Sequence, residues 1–346
     1  MKEFKLIFIG CGTVGQGLMQ IIRDKQRLLA QQNVQLTLVA ISDMLKGSLL
    51  DPRGIDMPHM LEILGAGGKV DDYDKHSADA VRGLDAIATI RRSDAHIVAE
   101  MSYTDIKTGQ PATSHIEAAL NKGMHVATSN KGPAALFYPK LQNLASAREV
   151  KFLIEGTVMS GTPVFNLARE CFAGCRIKEI KGILNGTTNY ILSQMEDQGW
   201  SYEQALQKAQ QLGYAEADPT ADVEGFDALA KVVILSNVLL GGSITPSQVP
   251  CEGISKIALA DVRAARDAGM RYKLIGATKM TDHGIEASVQ PVKLPLTDPL
   301  TGVGGAVNAL TFVTDLLGPV TIQGAGAGKL ETGFSIFVDI MHIIRG

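Results

Sequence analysis

Long hydrophobic runs are missing from this sequence of 346 residues. No stretch approaches the ~18 consecutive apolar residues that a transmembrane helix needs. The apolar run over residues 6–9 is also too short for the core of a signal peptide, and glycines interrupt it at once. We therefore expect no membrane association.

Cysteine is scarce as well, with four in the chain. Cys171 and Cys175 have no histidine beside them, which does not fit a zinc site. So few cysteines predict no disulfide framework, and a reducing cytoplasm is the expected compartment.

An excess of positive charge is also absent, because the formal net charge is −3. Nucleic-acid binding needs a basic surface that neutralises phosphates. The arginines at positions 263 and 266 are offset by Asp261 and Asp267, which is typical of a solvated helix face. The sequence therefore predicts no nucleic-acid partner.

Strand and helix patterns alternate in the first part of the chain. Apolar runs over residues 4–9 and 36–42 flank a helical pattern over residues 14–29, which is the strand–helix–strand unit of a parallel sheet. Further strands are predicted over 87–90, 95–100, 125–128 and 152–155, and further helices over 114–122 and 139–148. We predict a Rossmann-type, doubly wound α/β domain over residues 1–155.

The pattern changes after residue 155. Helices are predicted over 163–172, 187–198, 202–212, 227–240 and 260–268, and strands over 177–183, 272–280 and 285–293. These elements indicate a second, α+β domain over residues 156–323, with a mixed sheet. A last helix over 329–344 lies in a segment, residues 324–346, that we expect to pack back on the first domain.

A glycine-rich loop follows the first predicted strand. Its G-x-G-x-x-G pattern consists of Gly10, Cys11, Gly12, Thr13, Val14 and Gly15. In a dinucleotide-binding loop the first glycine makes a tight turn, the second lets the backbone approach the pyrophosphate, and the third allows close helix packing. The helix that follows offers free N–H groups to the phosphates. The pattern predicts NAD or NADP binding, and the alternative is a purely structural turn.

Asp43 ends the second predicted strand, where an acidic side chain binds the adenosine ribose hydroxyls in such domains. A carboxylate there favours NAD over NADP, because the 2′-phosphate of NADP would meet a like charge. Lys46 lies close enough to weaken that preference. The alternative is that Asp43 serves only as a turn or capping residue.

Ser129, Asn130 and Lys131 follow the strand predicted over residues 125–128. Ligands bind at the carboxyl ends of parallel strands, so these residues are candidates for the nicotinamide end of the cofactor. The alternative for Lys131 is an ordinary surface lysine.

Two segments of the second domain are rich in polar side chains. The turn over residues 185–188 feeds a helix that Thr187 or Thr188 could cap, and its N–H groups could hold a carboxylate. The loop over residues 213–227 is acidic and enters a strongly apolar helix. Asp227 and Lys231 are four residues apart on that helix and share a face. Burial would make this pair a functional candidate, whereas on a solvated face it would be a simple ion pair.

Taken together, these motifs resemble those of homoserine dehydrogenases. The resemblance is carried by NGTTNY over residues 185–190, by residues 213–231, by residues 129–133 and by the loop over 155–163. It covers nearly the whole chain. It implies a reversible, NAD(P)H-dependent reduction of L-aspartate 4-semialdehyde to L-homoserine, a step of threonine and methionine biosynthesis.

The resemblance also implies roles for single residues. Lys231 would be the main acid/base lysine, and Lys131 a second cation near the reacting oxygen. The implied substrate-binding residues are Glu216, Asp222, Asp227, Gly186 and Thr187. The residues Glu155, Val158, Ser160 and Thr162 match a loop that in this family can hold a monovalent cation, Na⁺ or K⁺, through mainly backbone oxygens.

Assembly and regulation are implied in the same way. A homodimer through the sheet of the second domain is expected. Many relatives carry a C-terminal regulatory domain of the ACT type or a fused aspartate kinase, and we expect neither in a chain that begins at Met1 and ends at Gly346. Two alternatives stay open: a related enzyme acting on another semialdehyde or a dihydrodipicolinate-type compound, and a catalytically silent NAD(P)-binding regulator. A pure interaction module would leave the glycine loop and the charged helix unexplained.

Overall fold

The computed structural model describes residues 1–345 and divides them into two compact units. Unit 1 comprises Met1–Gly161 and the chain from Gly328 onward, and unit 2 comprises Thr162–Ala327. Both boundaries lie a few residues beyond positions 155 and 323, where the sequence pattern places them. The loop that begins at residue 155 belongs to unit 1 because it is tied to the last helix, where the Glu155 N–H donates to Asp339 Oδ2 at 2.9 Å.

The described part of unit 1 contains one seven-stranded sheet. Its strands are β1 (Lys2–Ile9), β2 (Val34–Asp43), β3 (Gly47–Leu50), β4 (Val81–Arg82), β5 (Ile97–Glu100), β6 (His125–Thr128) and β7 (Phe152–Leu153). The order is β4-β3-β2-β1-β5-β6-β7, parallel except at β3 and β4. The chain leaves β1 for β2 on one side and later reaches β5 on the other, so β1 lies at the switch point of a doubly wound sheet. The predicted fold class is confirmed.

Helices cover this sheet. They are α1 (Thr13–Asp24), α2 (Gln26–Gln31), α3 (Met57–Gly65), α4 (Ala86–Arg92), α5 (Ala112–Asn121), α6 (Lys131–Ala147) and the last helix of the chain, α12 (Lys329–Arg345). Residues 6–9 of β1 are all buried, as expected for a central parallel strand with helices on both faces. Leu18 of α1 and Ile336 of α12 belong to the same apolar core as Phe8. No helix in residues 1–345 is long and apolar enough to cross a membrane.

Three local predictions for unit 1 were wrong. Residues 87–90 are part of helix α4, because Asp85 caps it by accepting a hydrogen bond from the Ala88 N–H at 2.6 Å. Helix α6 begins well before residue 139, because Asn130 caps it through the Gly132 N–H at 3.2 Å. The helix predicted over 14–29 is interrupted at Lys25, where α1 ends and α2 begins.

Unit 2 is built on a five-stranded sheet within the described chain. Its strands are β8 (Ile177–Ile183), β9 (Met270–Thr281), β10 (Gly284–Pro295), β11 (Val307–Thr314) and β12 (Pro319–Ala325), in the order β10-β9-β8-β11-β12. Its helices are α7 (Gly186–Gln198), α8 (Tyr202–Gln211), α9 (Thr220–Val223), α10 (Phe226–Leu239) and α11 (Leu259–Asp267). Helices α7, α10 and α11 pack against the sheet strands.

The expected mixed sheet in unit 2 was wrong, since all four strand pairings of this sheet are antiparallel. The strands β11 and β12 were not predicted either. Asn308 and Thr311 interrupt the apolar run of β11. The alternation of β12 is limited to residues 320–323, between Pro319 and Gly324, which is short for a strand pattern. The helix predicted over 163–172 covers residues 165–171, of which Leu167–Cys171 are π-helical.

The contact between α1 and α12 predicts a cost for side chains at two glycines. A Cβ at Gly17 would lie 2.0 Å from the Lys329 carbonyl oxygen, and one at Gly333 would lie 2.6 Å from the Leu18 nitrogen. Gly17→Ala should therefore lower the free energy of unfolding by about 1–3 kcal/mol through overpacking, although alanine favours a helix by ~1 kcal/mol. Urea denaturation followed by circular dichroism measures the change.

Gly65 in α3 provides the matched control, because a Cβ there would meet nothing within 4 Å. Gly65→Ala should leave stability unchanged or raise it by up to ~1 kcal/mol. Equal stability of Gly17→Ala and the parent protein would show that the two helices do not approach this closely.

Candidate functional site

The glycine loop of unit 1 has the geometry that a dinucleotide requires. Gly10 has φ +93°, and a Cβ there would lie 2.4 Å from the Met101 carbonyl oxygen, which follows β5. A Cβ at Gly15 would lie 2.7 Å from the Gly10 oxygen, whereas one at Gly12 would meet nothing within 4 Å. The first and third glycines are thus needed for packing inside the protein. The second leaves the backbone open to a ligand.

Asp43 at the end of β2 is bonded to this loop. Its Oδ2 accepts from the Cys11 N–H at 2.7 Å, and its Oδ1 accepts from the Leu45 and Lys46 N–H groups at 2.9 and 3.0 Å. The Lys46 ammonium donates to the Cys11 carbonyl at 2.7 Å. One carboxylate oxygen of Asp43 therefore stabilises the turn that follows β2, and the other holds the glycine loop. Burial raises the pKa of the Cys11 thiol to about 12, so this thiol stays protonated.

A cavity of about 1020 Å³ opens at the carboxyl ends of β1, β2 and β5. Its lining includes Gly10, Gly12, Asp43, Arg82, Ser102 and His115. This volume is at the upper end of the ~300–1,000 Å³ of small-molecule sites, and its position is that of ligands in doubly wound sheets. Among the predicted cofactor residues, Gly10, Gly12 and Asp43 line it, whereas Thr13 and Val14 begin α1 beside it.

A buried polar network near this cavity was missed in the sequence. Glu100 at the end of β5 is fully buried; its Oε2 accepts from Thr128 Oγ1 at 3.1 Å, and its Oε1 lies 3.4 Å from His115 Nδ1. Asn130 donates through Nδ2 to the Ser102 and Tyr103 carbonyl oxygens at 3.3 and 2.9 Å. A polar residue that ends an apolar strand was the available signal for Glu100.

Lys231 in α10 is a buried cation, with 6% of its surface exposed. Its Nζ lies 2.7 Å from Asp227 Oδ2, four residues earlier on the same helix, and donates to the Leu184 carbonyl oxygen at 2.6 Å. The alternative of an ion pair on a solvated helix face is therefore wrong. A buried ammonium held in this way costs desolvation free energy that the ion pair and hydrogen bond must offset.

Asn185 connects the acidic residues of the cluster. Its Nδ2 donates to Asp222 Oδ1 at 2.7 Å and to Asp227 Oδ2 at 3.1 Å, while its Oδ1 accepts from the Thr188 N–H at 2.9 Å. Asn185 rather than a threonine is thus the N-cap of α7. Burial raises the pKa of Asp222, and the hydrogen bond from Asn185 opposes the rise.

The other predicted substrate residues lie on the neighbouring segments of unit 2. Gly186 is the first residue of α7, and a Cβ there would lie 2.6 Å from the Ala306 carbonyl oxygen. Thr187 is buried and donates through Oγ1 to the Tyr214 carbonyl at 2.6 Å. Glu216 is exposed on the loop between α8 and α9. In unit 1, Ser129 follows β6 and the half-buried Lys131 is the first residue of α6.

Three residues of the predicted cation loop, Glu155, Val158 and Ser160, lie in unit 1. Glu155 begins a short 3₁₀ helix and is buried, as are Val158 and Ser160. Ser160 has the left-handed φ of +52°, and its hydroxyl hydrogen-bonds Thr332 Oγ1 at 2.6 Å. Thr162 lies in unit 2. Within residues 1–345, no cluster of histidine, cysteine and carboxylate side chains has a metal-binding arrangement.

Comparisons with known proteins match both units to one family. The model of the NAD-binding domain of homoserine dehydrogenase matches residues 10–155, and the homoserine dehydrogenase model matches residues 163–341. An NAD(+)-dependent homoserine dehydrogenase of Pseudomonas canavaninivorans is 43% identical over 99% of this chain and 97% of its own. The chain belongs to the homoserine dehydrogenase family.

Two further relatives extend this match. A homoserine dehydrogenase of Methanocaldococcus jannaschii is 39% identical over 98% of both chains. The solved structure of a hyperthermophilic archaeal homoserine dehydrogenase in complex with NADPH aligns with a TM-score of 0.85. It is 28% identical and covers 99% of this chain and 98% of that one. The family resemblance predicted from the motifs is confirmed, and membership in it speaks against a dihydrodipicolinate-type enzyme.

A second buried lysine of unit 2 supports the segment before β11. Lys273 is 2% exposed, and its Nζ donates to Asn189 Oδ1 at 3.0 Å and to the Val303 carbonyl at 2.6 Å. Asn189 Nδ2 donates to the carbonyl oxygens of Val303, Gly305 and Val307. Burial lowers the pKa of Lys273 to about 8, although Glu196 opposes the change.

The low pKa of Lys273 predicts that the free energy of unfolding changes with pH in the alkaline range. The unfolded chain holds the Lys273 proton up to its ordinary pKa of 10.5, whereas the folded protein releases it near 8. Between these values the unfolded state binds more protons, so the free energy of unfolding should rise with pH, by up to roughly 3 kcal/mol. Below pH 8 both states are protonated and this contribution is constant.

Urea denaturation of the parent protein and of Lys273→Met at several pH values tests this. The difference between the two free energies of unfolding isolates Lys273 from other groups that titrate in the same range. A difference that does not change between pH 8 and 10.5 would show that Lys273 keeps its ordinary pKa in the folded protein.

Proposed function

We propose that this protein catalyses the reversible, NAD(P)H-dependent reduction of L-aspartate 4-semialdehyde to L-homoserine. The observation that carries the proposal is a cluster of the buried Lys231 and Asn185 with the half-buried carboxylates of Asp227 and Asp222. It lies in a member of the homoserine dehydrogenase family. Charges of both signs that are largely shielded from water suit a small zwitterionic substrate, which needs partners for an ammonium and a carboxylate.

The residues of unit 1 fit a nicotinamide dinucleotide. The open side of Gly12, the N-terminus of α1 and the cavity beside Asp43 match the needs of a pyrophosphate and a ribose. When bound, the reduced nicotinamide supplies a hydride for the aldehyde carbon. Ser129, Asn130 and Lys131, at the carboxyl end of β6, are the proposed contacts beyond the ribose.

Lys231 is the proposed proton donor. As the aldehyde carbon gains a hydride, negative charge develops on the carbonyl oxygen, and a nearby ammonium stabilises it. Transfer of one proton from Nζ to that oxygen completes the alcohol, and Lys231 then regains a proton from solvent. Asp227 and the Leu184 carbonyl hold Nζ in place during this step. Lys131 is the proposed second cation.

The acidic residues are the proposed partners of the substrate ammonium. Asp222 and Asp227 both accept hydrogen bonds from Asn185, and Glu216 lies on the exposed loop that precedes them in sequence. Burial raises the pKa of Asp222 by disfavouring its charged form. A bound substrate ammonium would stabilise the carboxylate and lower that pKa. The N–H groups of Gly186 and Thr187 at the start of α7 are the proposed partners of the substrate carboxylate.

Three further features are part of the proposal. Backbone oxygens of Glu155, Val158 and Ser160 in unit 1 would hold a monovalent cation. Two copies would form a homodimer through the sheet of unit 2, which light scattering of the purified protein tests. The cytoplasm is the proposed compartment, and the four cysteines are free thiols throughout the described chain, as a reducing environment requires.

Activity with the two cofactors tests the proposed reaction and the role of Asp43. Purified protein mixed with L-aspartate 4-semialdehyde should oxidise NADH faster than NADPH, because Asp43 repels a 2′-phosphate. The relative named NAD(+)-dependent supports this order. Asp43→Ser should raise the NADPH-to-NADH ratio of kcat/KM about tenfold, equivalent to ~1.4 kcal/mol. Loss of absorbance at the nicotinamide band is the measurement.

Lys46→Met is the counterpart of that variant. Removing this cation while keeping Asp43 should lower the same ratio. A ratio that neither substitution moves would show that the ribose lies away from these side chains.

Lys231→Gln tests the proton donor. The amide is similar in length but carries no transferable proton, so kcat should fall by at least ~10²-fold, the usual contribution of a general acid. Cofactor affinity, measured by nicotinamide fluorescence, should stay within twofold of the parent, because Lys231 lies outside unit 1. Unchanged turnover would remove Lys231 from this role. A parent protein that binds cofactor and oxidises none would instead support the silent regulator.

A further inference from the structure

A buried amide beside the Lys231 cluster has an unexplained oxygen. Asn308 of β11 is completely buried, and its Oδ1 has no hydrogen-bond partner within residues 1–345. Buried side-chain amides rarely leave an oxygen unsatisfied, because the lost hydration is not replaced. We therefore ask whether the hydrogen bond of the amide nitrogen, Nδ2, explains why Oδ1 is left without a partner.

That other half donates to the carbonyl that holds Lys231. Asn308 Nδ2 lies 3.0 Å from the Leu184 oxygen, and Lys231 Nζ lies 2.6 Å from the same oxygen. A carbonyl oxygen has two lone pairs, so it can receive both donors. The amide cannot be turned around, because its oxygen would then face the Leu184 oxygen.

Strand register explains why Asn308 is in this place. In the β8–β11 pairing, Ala309 is opposite Ile183, the last residue of β8. Leu184 follows Ile183 just beyond the ladder, and Asn308 is the matching residue on β11. The Leu184 carbonyl is thus held by a side chain where the strand's own hydrogen bonds have ended.

The surroundings of the amide are narrow on two sides. A Cβ at Gly326 would lie 2.2 Å from Asn308 Nδ2 and 2.6 Å from Oδ1, and one at Gly186 would lie 3.4 Å from Oδ1. The amide is therefore confined between the glycine segment after β12 and the start of α7. This confinement keeps Nδ2 directed at the Leu184 oxygen.

We propose that Asn308 is a positioning residue for Lys231: its amide fixes the Leu184 carbonyl, and the carbonyl fixes the direction of the Lys231 ammonium. The unsatisfied Oδ1 is the cost in stability of keeping Nδ2 in place. The proposal rests on the proposed function, in which Lys231 gives a proton to the carbonyl oxygen of the substrate.

This role predicts effects of opposite sign on stability and on turnover. Asn308→Leu keeps the shape of the side chain approximately and removes both the donor and the orphaned acceptor. Leu184 still accepts from Lys231, so no new buried group is left without a partner. We expect the midpoint of thermal unfolding to stay the same or rise, while kcat falls about tenfold or more.

Two kinetic readouts separate positioning from a structural role. The KM values for both substrates should stay within about twofold of the parent, because the acidic residues and the cofactor cavity are untouched. The solvent deuterium isotope effect on kcat should increase, because misdirected proton transfer becomes slower than the other steps. General loosening of the fold would raise KM and lower the unfolding midpoint together.

Ser193→Ala is the matched control. Like the amide oxygen of Asn308, the hydroxyl oxygen of Ser193 is buried in unit 2 and has no hydrogen-bond partner in the described chain. Its removal should leave or raise the unfolding midpoint, with kcat and the isotope effect unchanged. Asn308→Ala serves as a second variant if the leucine proves too bulky between the two glycines; it should show the same kinetic changes with a lower midpoint.

The outcomes distinguish this inference from the function on which it rests. In one outcome, the parent protein turns over substrate and Lys231→Gln does not. If Asn308→Leu then has an unchanged kcat and isotope effect, the role of Asn308 alone is overturned. Loss of kcat accompanied by equal rises in KM and an unfolding midpoint below that of Ser193→Ala would also overturn it. Absence of turnover in the parent would overturn the proposed function itself.

Discussion

The burial of the Lys231 ammonium constrains how helix α10 packs on the sheet of unit 2. Lys231 sits inside a strongly apolar helix, where an unpaired ammonium would be prohibitively unfavourable. Asp227 supplies the opposite charge from the same helix, and Leu184 supplies a carbonyl from the end of β8. The helix and the sheet therefore have to meet at this point, which ties the packing of α10 to the register of the central strand.

The two carboxylates near Lys231 are also held by hydrogen bonds. Asp222 and Asp227 would repel each other at close range, and Asn185 lies between them as a shared donor. The same asparagine caps α7. One side chain thus connects the start of a helix, the acidic loop and the ion pair. A displacement of any one of these segments would disturb the hydrogen bonds that Asn185 makes to the others.

Unit 1 depends on a different constraint, which is the closeness of backbone to backbone. Gly10 approaches the end of β5, Gly15 approaches Gly10, and Gly17 and Gly333 allow α1 and α12 to pack at short distance. These contacts bring the glycine loop, Asp43 and the end of β5 to one edge of the sheet. The cavity at that edge follows from the switch in strand order at β1.

Local patterns in the sequence were sufficient to predict the doubly wound domain, the glycine loop, the family and the pairing of Asp227 with Lys231. Each depends on residues that are near one another along the chain, where helix geometry or turn chemistry sets the distance. The tertiary structure alone decided that the pair is buried, that Asn185 joins Asp222 to Asp227, that Glu100 meets His115, and that Asn308 reaches the Leu184 carbonyl. These contacts join residues far apart in sequence, and they exist because strand pairing and helix packing close long loops at one particular register.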